Sequence, residues 1–349
     1  MVENQRLRVG FRTNSIAPER LRYIRQLGVT DVFINPVTPA GVESGDIFVD
    51  NTDQGDENDR LVLAPDNVPS AARLEKMREQ CEQEGISLQG IHTLQFNMYG
   101  DIMLNNDGAD RQLEAIKKLL SNMGEAGLPI LGYQWNPRGV VPMRTGTTTL
   151  RGGAEATHFN LSEIEAPDNP VLEREYVEDD LWKHYESFVD EIIPAAEHAR
   201  VKMALHPVDP PTIPTLMGIP RLFRSTQSFE RALDLRDSEY HGLKLCLGCF
   251  SEMGEDIIDV IHRFGERQRI VFVHFRDVVG TAEAFHETFV DCGNFDEVRA
   301  MKALKEVDFK GVIIPDHVPN VTDDTDWGHR ARGYTAGYLR GVINSLSLN

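Results

Sequence analysis

The chain has 349 residues and a formal net charge of −19, from 55 acidic and 36 basic side chains. That balance argues against a nucleic-acid partner or an anionic membrane surface, both of which need basic patches, and leaves open a small anionic ligand, which answers to the local field of a cleft. Hydrophobic content of 41% gives ample material for a core, no run approaches the roughly 20 apolar residues of a membrane span, and the N-terminus M-V-E-N-Q-R-L-R-V-G lacks an apolar signal core, so a cytoplasmic protein is expected.

Leu7–Arg12 is a short apolar run ending in F-R-T-N, a first strand. Pro18 opens a helical stretch over Glu19–Leu27, which Gly28 closes. Asp31–Asn35 is a second strand. Residues 40–68 are acidic, without periodicity, and read as a long rim loop or lid. Ala71–Glu84 is helical and Ser87–His92 is a third strand. Asp110–Ala126 is an amphipathic helix with Leu113, Ile116, Leu119, Leu120 and Met123 on one face. Pro129–Trp135 is a fourth strand. Residues 136–176, rich in Gly, Thr and Arg, read as an inserted β-hairpin or loop. Helix Val177–Ala199 leads to strand five, Lys202–Pro207, and then to a rigid extended segment, P-V-D-P-P-T-I-P. A short helix follows at Ser228–Leu235. Strand six is Leu243–Leu247, and a helix at Glu255–Phe264 precedes strand seven, Ile270–Val278. Helix Phe295–Glu306, strand eight at Val312–Pro315 and helix His329–Ser345 complete the chain.

Eight strand-then-helix units without a composition break predict an α/β fold: one (β/α)8 TIM barrel over residues 1–349, with insertions at about 40–68 and 136–176. An open doubly wound sheet would carry G-x-G-x-x-G after an early strand, and the sequence has none.

Polar side chains at the carboxyl end of an apolar strand need a reason, and in a parallel barrel that end faces the active site. Strand seven ends in His274, Arg276 and Asp277. Strand five ends in His206, strand six carries Cys246, and strand eight runs into Asp316 and His317. His206, Cys246, His274 and Asp316 are spaced by 40, 28 and 42 residues, each about one βα unit. Two imidazoles, a thiolate and a carboxylate suit Zn²⁺, Mn²⁺ or Fe²⁺ better than the all-oxygen Ca²⁺. Cys246 and Cys249 form a C-x-x-C, read here as one ligand and one packing residue, because Cys246 lies within a strand pattern. With Cys81 and Cys292 they make too few cysteines for a disulfide scaffold. Arg276 and Arg144 are candidate clamps for a substrate carboxylate, since a guanidinium binds one bidentately. His286 or Glu287, in F-H-E, is a candidate partner for substrate hydroxyls. Tyr334 opens the last helix and is a candidate acid or base.

At these residues the chain resembles the mannonate dehydratase family, a hexuronate-degrading group with a xylose-isomerase-like barrel. The resemblance runs over nearly the whole length: F-R-T, G-L-P-I-L-G-Y-Q-W-N-P, M-R-T, A-L-H-P-V-D-P-P, L-C-L-G, H-F-R-D-V, F-H-E, P-D-H and R-G-Y-T-A-G-Y-L-R-G. It implies a hydro-lyase that converts D-mannonate to 2-keto-3-deoxy-D-gluconate and water. It implies a divalent metal at His206, Cys246, His274 and Asp316, Mn²⁺ first, with Mg²⁺, Fe²⁺ and Zn²⁺ as alternatives. Acid–base roles for His317 and Tyr334, and a homo-oligomer (dimer or tetramer), belong to the same implication. The chain departs from the family where C-T-G-S becomes C-L-G-C, where Val318 follows P-D-H in place of Gly, and where H-E-D-I becomes Y-G-D-I.

Dehydrating a sugar acid removes the C2 proton and the C3 hydroxyl. The C2 proton is weakly acidic beside a carboxylate already negative, so a cation and an acid–base pair are both required. A metal-dependent sugar isomerase or epimerase of the same barrel type is the alternative enzyme, and its product would keep its mass. A sugar-acid-binding homologue without turnover is the alternative outside enzymes.

Overall fold

The alternation of short β-branched runs with amphipathic stretches sets the architecture. The computed structural model describes residues 7–37, 57–137, 141–165, 172, 174–211 and 213–346. In chain order its strands are β1 (Arg8–Thr13), β2 (Asp31–Ile34), β3 (Ser87–Ile91), β4 (Ile130–Gln134), β5 (Gly146–Thr149), β6 (Glu155–Asn160) and β7 (Lys202–His206). They continue with β8 (Thr215–Leu216), β9 (Ile219–Pro220), β10 (His241–Cys246), β11 (Ile270–His274), β12 (Val278–Thr281), β13 (Ala284–Glu287) and β14 (Val312–Ile314). The helices are α1 (Pro18–Gln26), α2 (Ala71–Gln83), α3 (Gly100–Leu104), α4 (Ala109–Ala126), α5 (Glu178–Ala199), α6 (Thr226–Asp234), α7 (Leu247–Glu252), α8 (Ile257–Gly265), α9 (Glu297–Glu306) and α10 (His329–Ser345). Gly28, at φ +74°, follows α1 in the left-handed conformation that glycine tolerates.

The barrel closes in the order β1-β14-β11-β10-β7-β4-β3-β2, with neighbouring strands parallel. This is the (β/α)8 barrel expected from the pattern. Successive strand residues face opposite sides. Phe11 therefore packs outward, edge-on to Trp327 at 5.6 Å, while Arg12 faces the interior cavity. A cluster drawn only from barrel strands fills the interior, with Phe33 stacked on Phe272 at 4.5 Å between ring centroids. The larger outer core joins strands to helices, including the Ile116, Leu119, Leu120 and Met123 face of α4. Among the described residues no helix is long and apolar enough to cross a membrane.

Three local differences from the sequence reading bear on the site. Strand seven stops at His274 rather than running to Val278. Its stop is the carboxylate of Asp277: Oδ1 accepts from Ser251 Oγ (2.8 Å) and Val278 N (2.7 Å), and Oδ2 accepts from Phe295 N (2.8 Å). The chain then turns into the hairpin β12–β13. That hairpin joins β6 and β5 in an antiparallel sheet of order β12-β13-β6-β5. The β5–β6 hairpin, within residues 136–176, is thus paired to a second hairpin that follows strand seven. Of the expected lid at 40–68, residues 40–56 lie outside the described residues, and the remainder carries a short turn at Glu57–Asp59 and a bridge from Val62 to Val37.

Phe272→Ala removes half of the interior ring pair. It is expected to cost about 3–5 kcal/mol, read as a lower urea midpoint with unchanged slope.

Candidate functional site

His206, Cys246 and His274 are the last residues of β7, β10 and β11, and Asp316 follows β14 by two positions. The parallel register sets Cys246 beside His274. All four side chains are buried, and their donor atoms lie within 4.8 Å of one another.

The imidazole tautomers can be followed from their partners. His206 Nδ1 donates to the Pro207 carbonyl (2.7 Å), so its lone pair is at Nε2, which is buried with no hydrogen-bond partner among the described residues. Asn35 Oδ1 can only accept, so His92 donates to it from Nδ1 (3.3 Å). His92 Nε2 must then accept from His274 Nε2 at 2.9 Å. That leaves the His274 lone pair at Nδ1, 3.1 Å from Asp316 Oδ2 and likewise without a hydrogen bond. Burial, helped by Lys244 and His274, keeps His92 neutral as this relay requires. Burial also lowers His206 to about 4, with the sulfur of Cys246 opposing.

Burial alone would raise the Cys246 thiol. The hydrogen bond from Cys249, the charge of Arg276 and the two imidazoles outweigh it and hold Cys246 well below the usual thiol range. Cys249 is pushed the other way, by burial and then by Cys246, so it stays a thiol that donates to its neighbour's thiolate. Burial would also raise Asp316, but His274, His317 and Arg12 hold it well below the ordinary carboxylate value. Two lone-pair nitrogens, a thiolate and a carboxylate converge, and the orphaned His206 Nε2 and His274 Nδ1 fit a divalent cation.

Beside this group lies a buried ionic network. Arg144 donates to Asp209 through Nη1 (2.7 Å) and Nη2 (3.1 Å), and to Glu287. Arg276 donates to Glu252 (2.7 Å), Asp209 (3.0 Å), Glu287 (3.3 Å) and Cys249 (3.2 Å). Asp209, Cys249 and Glu252 are a second buried donor set, and the Arg276 guanidinium already occupies it. Burial, then the charge of Asp209, pushes Glu252 well above its ordinary value and keeps it protonated. Burial would raise Glu287 too, but Arg276, His317 and Arg144 hold it far below. Two guanidiniums thus face two carboxylates, Asp209 and Glu287. Gly248 makes this possible, since a Cβ there would come within 2.5 Å of Arg276 Nη1.

His317, largely buried, sets Nδ1 at 2.7 Å from Glu287 Oε1 and Nε2 at 3.4 Å from Asp316 Oδ2. It lines a small cavity with Arg12, Gln134, Lys244, His206 and His274. The segment carrying Asp316 and His317 is tied down by Arg332, whose Nη1 donates to the carbonyls of Pro315 (3.1 Å) and Asp316 (3.3 Å).

The remaining expected residues are placed differently. Arg144 and Arg276 are not open clamps for a substrate carboxylate, because their side chains are 2% exposed and their forks hold internal acids. His286 turns away from this network. Phe285 and Glu287 share the opposite, buried face of β13, and His286 Nδ1 bonds to the Glu287 carbonyl (2.9 Å). Tyr334 lies on the outer face of α10, 42% exposed, with its hydroxyl accepting from Arg151 (3.3 Å) and its ring edge-on to Phe289. The buried face of α10 carries Ala331, Arg332 and Thr335 instead.

Against known proteins, the profile of the D-mannonate dehydratase (UxuA) family matches residues 18–178 and 171–349. The chain belongs to the D-mannonate dehydratase family. A mannonate dehydratase of Thermotoga neapolitana is 31% identical over 316 residues, covering 78% of this chain and 85% of that one. The crystal structure of mannonate dehydratase from Streptococcus suis serotype 2 superposes with a TM-score of 0.81 at 25% identity, covering 97% of this chain and 93% of that one. D-psicose 3-epimerase from Clostridium cellulolyticum H10 shares the fold alone, at 12% identity and a TM-score of 0.59, covering 97% of this chain and 99% of that one.

In this D-mannonate dehydratase homologue the strand-end reading stopped short. Arg12 and His92 also sit at strand ends, and Lys244 is a charge within the apolar L-K-L of β10; each was legible by the same rule. Asp209 and Glu252 carried no such signal, because they come from a loop and a short helix, whereas Glu287 stands with His286 in F-H-E, on a hairpin. Asp209→Asn leaves two buried guanidiniums short of one counter-charge. It is expected to cost about 3–5 kcal/mol, read from the urea midpoint against the parent protein.

Proposed function

We propose that this chain dehydrates D-mannonate to 2-keto-3-deoxy-D-gluconate with one divalent cation, Mn²⁺, held by His206, Cys246, His274 and Asp316. The observation that carries the reading is the buried imidazole–thiolate–carboxylate group beside the His317–Glu287 pair, in a chain of the D-mannonate dehydratase family. Bound there, the cation would supply Lewis-acid stabilisation of the negative charge that develops at the substrate's carboxylate and C2 oxygen.

The chain's own residues do the rest. Glu287 accepts a hydrogen bond from His317 Nδ1–H, which fixes the ring. The exchangeable proton of His317 is therefore carried at Nε2, on the Asp316 side. Bare, Nε2 takes the C2 proton as the C–H bond breaks; protonated, it delivers that proton to the departing C3 hydroxyl, which leaves as water. Overall one C–H and one C–O bond break, water leaves, and the enol relaxes to the 2-keto acid. The apolar barrel interior and the self-neutralised Arg144–Arg276 network keep bulk water from competing at the same face.

The test is to incubate purified protein with Mn²⁺ and D-mannonate and follow the product by mass. Loss of one water, abolished by chelator and by His274→Ala, is expected. A mass-neutral product would instead mark an isomerase. His317→Asn is expected to bind Mn²⁺ as the parent does and to lose turnover by about 100-fold or more. Undiminished turnover there would remove His317 from the chemistry.

A further inference from the structure

Arg12 is a buried cation that the reading above leaves without work. Its Nε has no hydrogen-bond partner among the described residues, and its side chain is 8% exposed. Its nearest charge is Asp316 Oδ1 at 3.4 Å. Its Nε faces that carboxylate, and, unlike Arg144 and Arg276, its fork ends in no internal carboxylate among the described residues, an arrangement that is costly unless something completes it.

The other buried cations near the cavity are engaged. Arg144 and Arg276 hold Asp209, Glu287 and Glu252. Lys244 Nζ donates to the His92 carbonyl at 2.9 Å. Arg332 donates to the carbonyls of Trp327, Pro315 and Asp316.

Charge points the same way. Arg12, Lys244, Asp316 and Asp209 line the cavity; the guanidiniums of Arg144 and Arg276 answer Asp209, and Asp316 with the neighbouring Cys246 thiolate offsets Arg12 and Lys244. A bound divalent cation leaves the pocket net positive and receptive to one anion. Asp316 is shared between the two functions, with Oδ2 toward His274 and Oδ1 toward Arg12.

We infer that Arg12 is the anchor for the carboxylate of the substrate. The inference rests on the sugar-acid reading of the site and deepens it. A carboxylate on the Arg12 fork lies next to the donor group, so the adjoining C2 comes between that group and His317. The geometry makes Arg12 the determinant of acid over neutral sugar.

The experiment uses Arg12→Met, and Arg12→Lys, which keeps the charge and loses the fork. With Mn²⁺ and D-mannonate, KM is expected to rise about 30- to 100-fold in Arg12→Met while kcat changes far less, with a smaller rise in Arg12→Lys. Calorimetry with Mn²⁺ on each variant sets the metal concentration at which it is fully loaded, so that lost acid preference is not mistaken for lost metal. In parallel, equilibrium binding of D-gluconate and of neutral D-gluconamide to Mn²⁺-loaded protein separates this inference from the dehydratase reading. A parent that prefers the acid, and an Arg12→Met protein that binds both alike, supports the anchor even if D-mannonate is not turned over. No acid preference in the parent, or an undiminished preference in folded Arg12→Met, overturns it. If Arg12→Met fails to fold, the same comparison in Arg12→Lys decides.

Discussion

A guanidinium cannot be taken out of water without counter-ions, and Arg276 is taken out almost completely. Its donors reach Asp209 in the loop after β7, Glu252 on α7, Glu287 on β13 and Cys249 beside the Cys246 thiolate. Each of those groups is itself buried, so none can leave without stranding the others. One side chain thereby fixes the relative positions of structures from distant parts of the sequence. The catalytic end of the barrel is held by charge where the opposite layers are held by apolar packing.

That network also tunes what lies next to it. With Glu252 protonated, Asp209 and Glu287 balance Arg144 and Arg276, and Glu287 remains a carboxylate able to hold His317 by Nδ1. On the other side, His92 passes the orientation of Asn35 through His274, so the nitrogen facing Asp316 carries a lone pair. Cys249 does the equivalent for sulfur, donating to the Cys246 thiolate. The site is prepared by neighbours that set protonation, and only secondarily by the residues that would touch a cation or substrate.

The barrel and the convergence of four strand ends were readable because both rest on periodicity. Apolar runs of strand length mark the barrel, and a polar residue where such a run ends marks its mouth. What was not readable depended on partners. Arg144 and Arg276 have the chemistry of carboxylate clamps, and only the placement of Asp209, Glu252 and Glu287 shows that their carboxylates are internal. Between His286 and Glu287 the sequence cannot choose: in a hairpin whose ends are unknown, alternation does not say which of two neighbours faces inward, and the buried one is Glu287. Tyr334 was assigned by motif, while helix geometry puts Arg332 on the inward face of α10. Asp277, read with the polar trio of strand seven, instead collects backbone and hydroxyl donors that end that strand.

Lys244 gives the donor group a floor. Its ammonium lines the same cavity as His206 and His274, lies 5.6 Å from the centre of the Phe272 ring, and depends on Gly132, where a Cβ would come within 3.1 Å of Nζ. Two-metal hydrolytic sites hold their ions about 3.5–4 Å apart between shared carboxylates. Here the neighbouring acids Asp209 and Glu252 are already taken up by the Arg276 guanidinium, so a cation proposed at His206, Cys246, His274 and Asp316 would have no free carboxylate beside it to share with a second one.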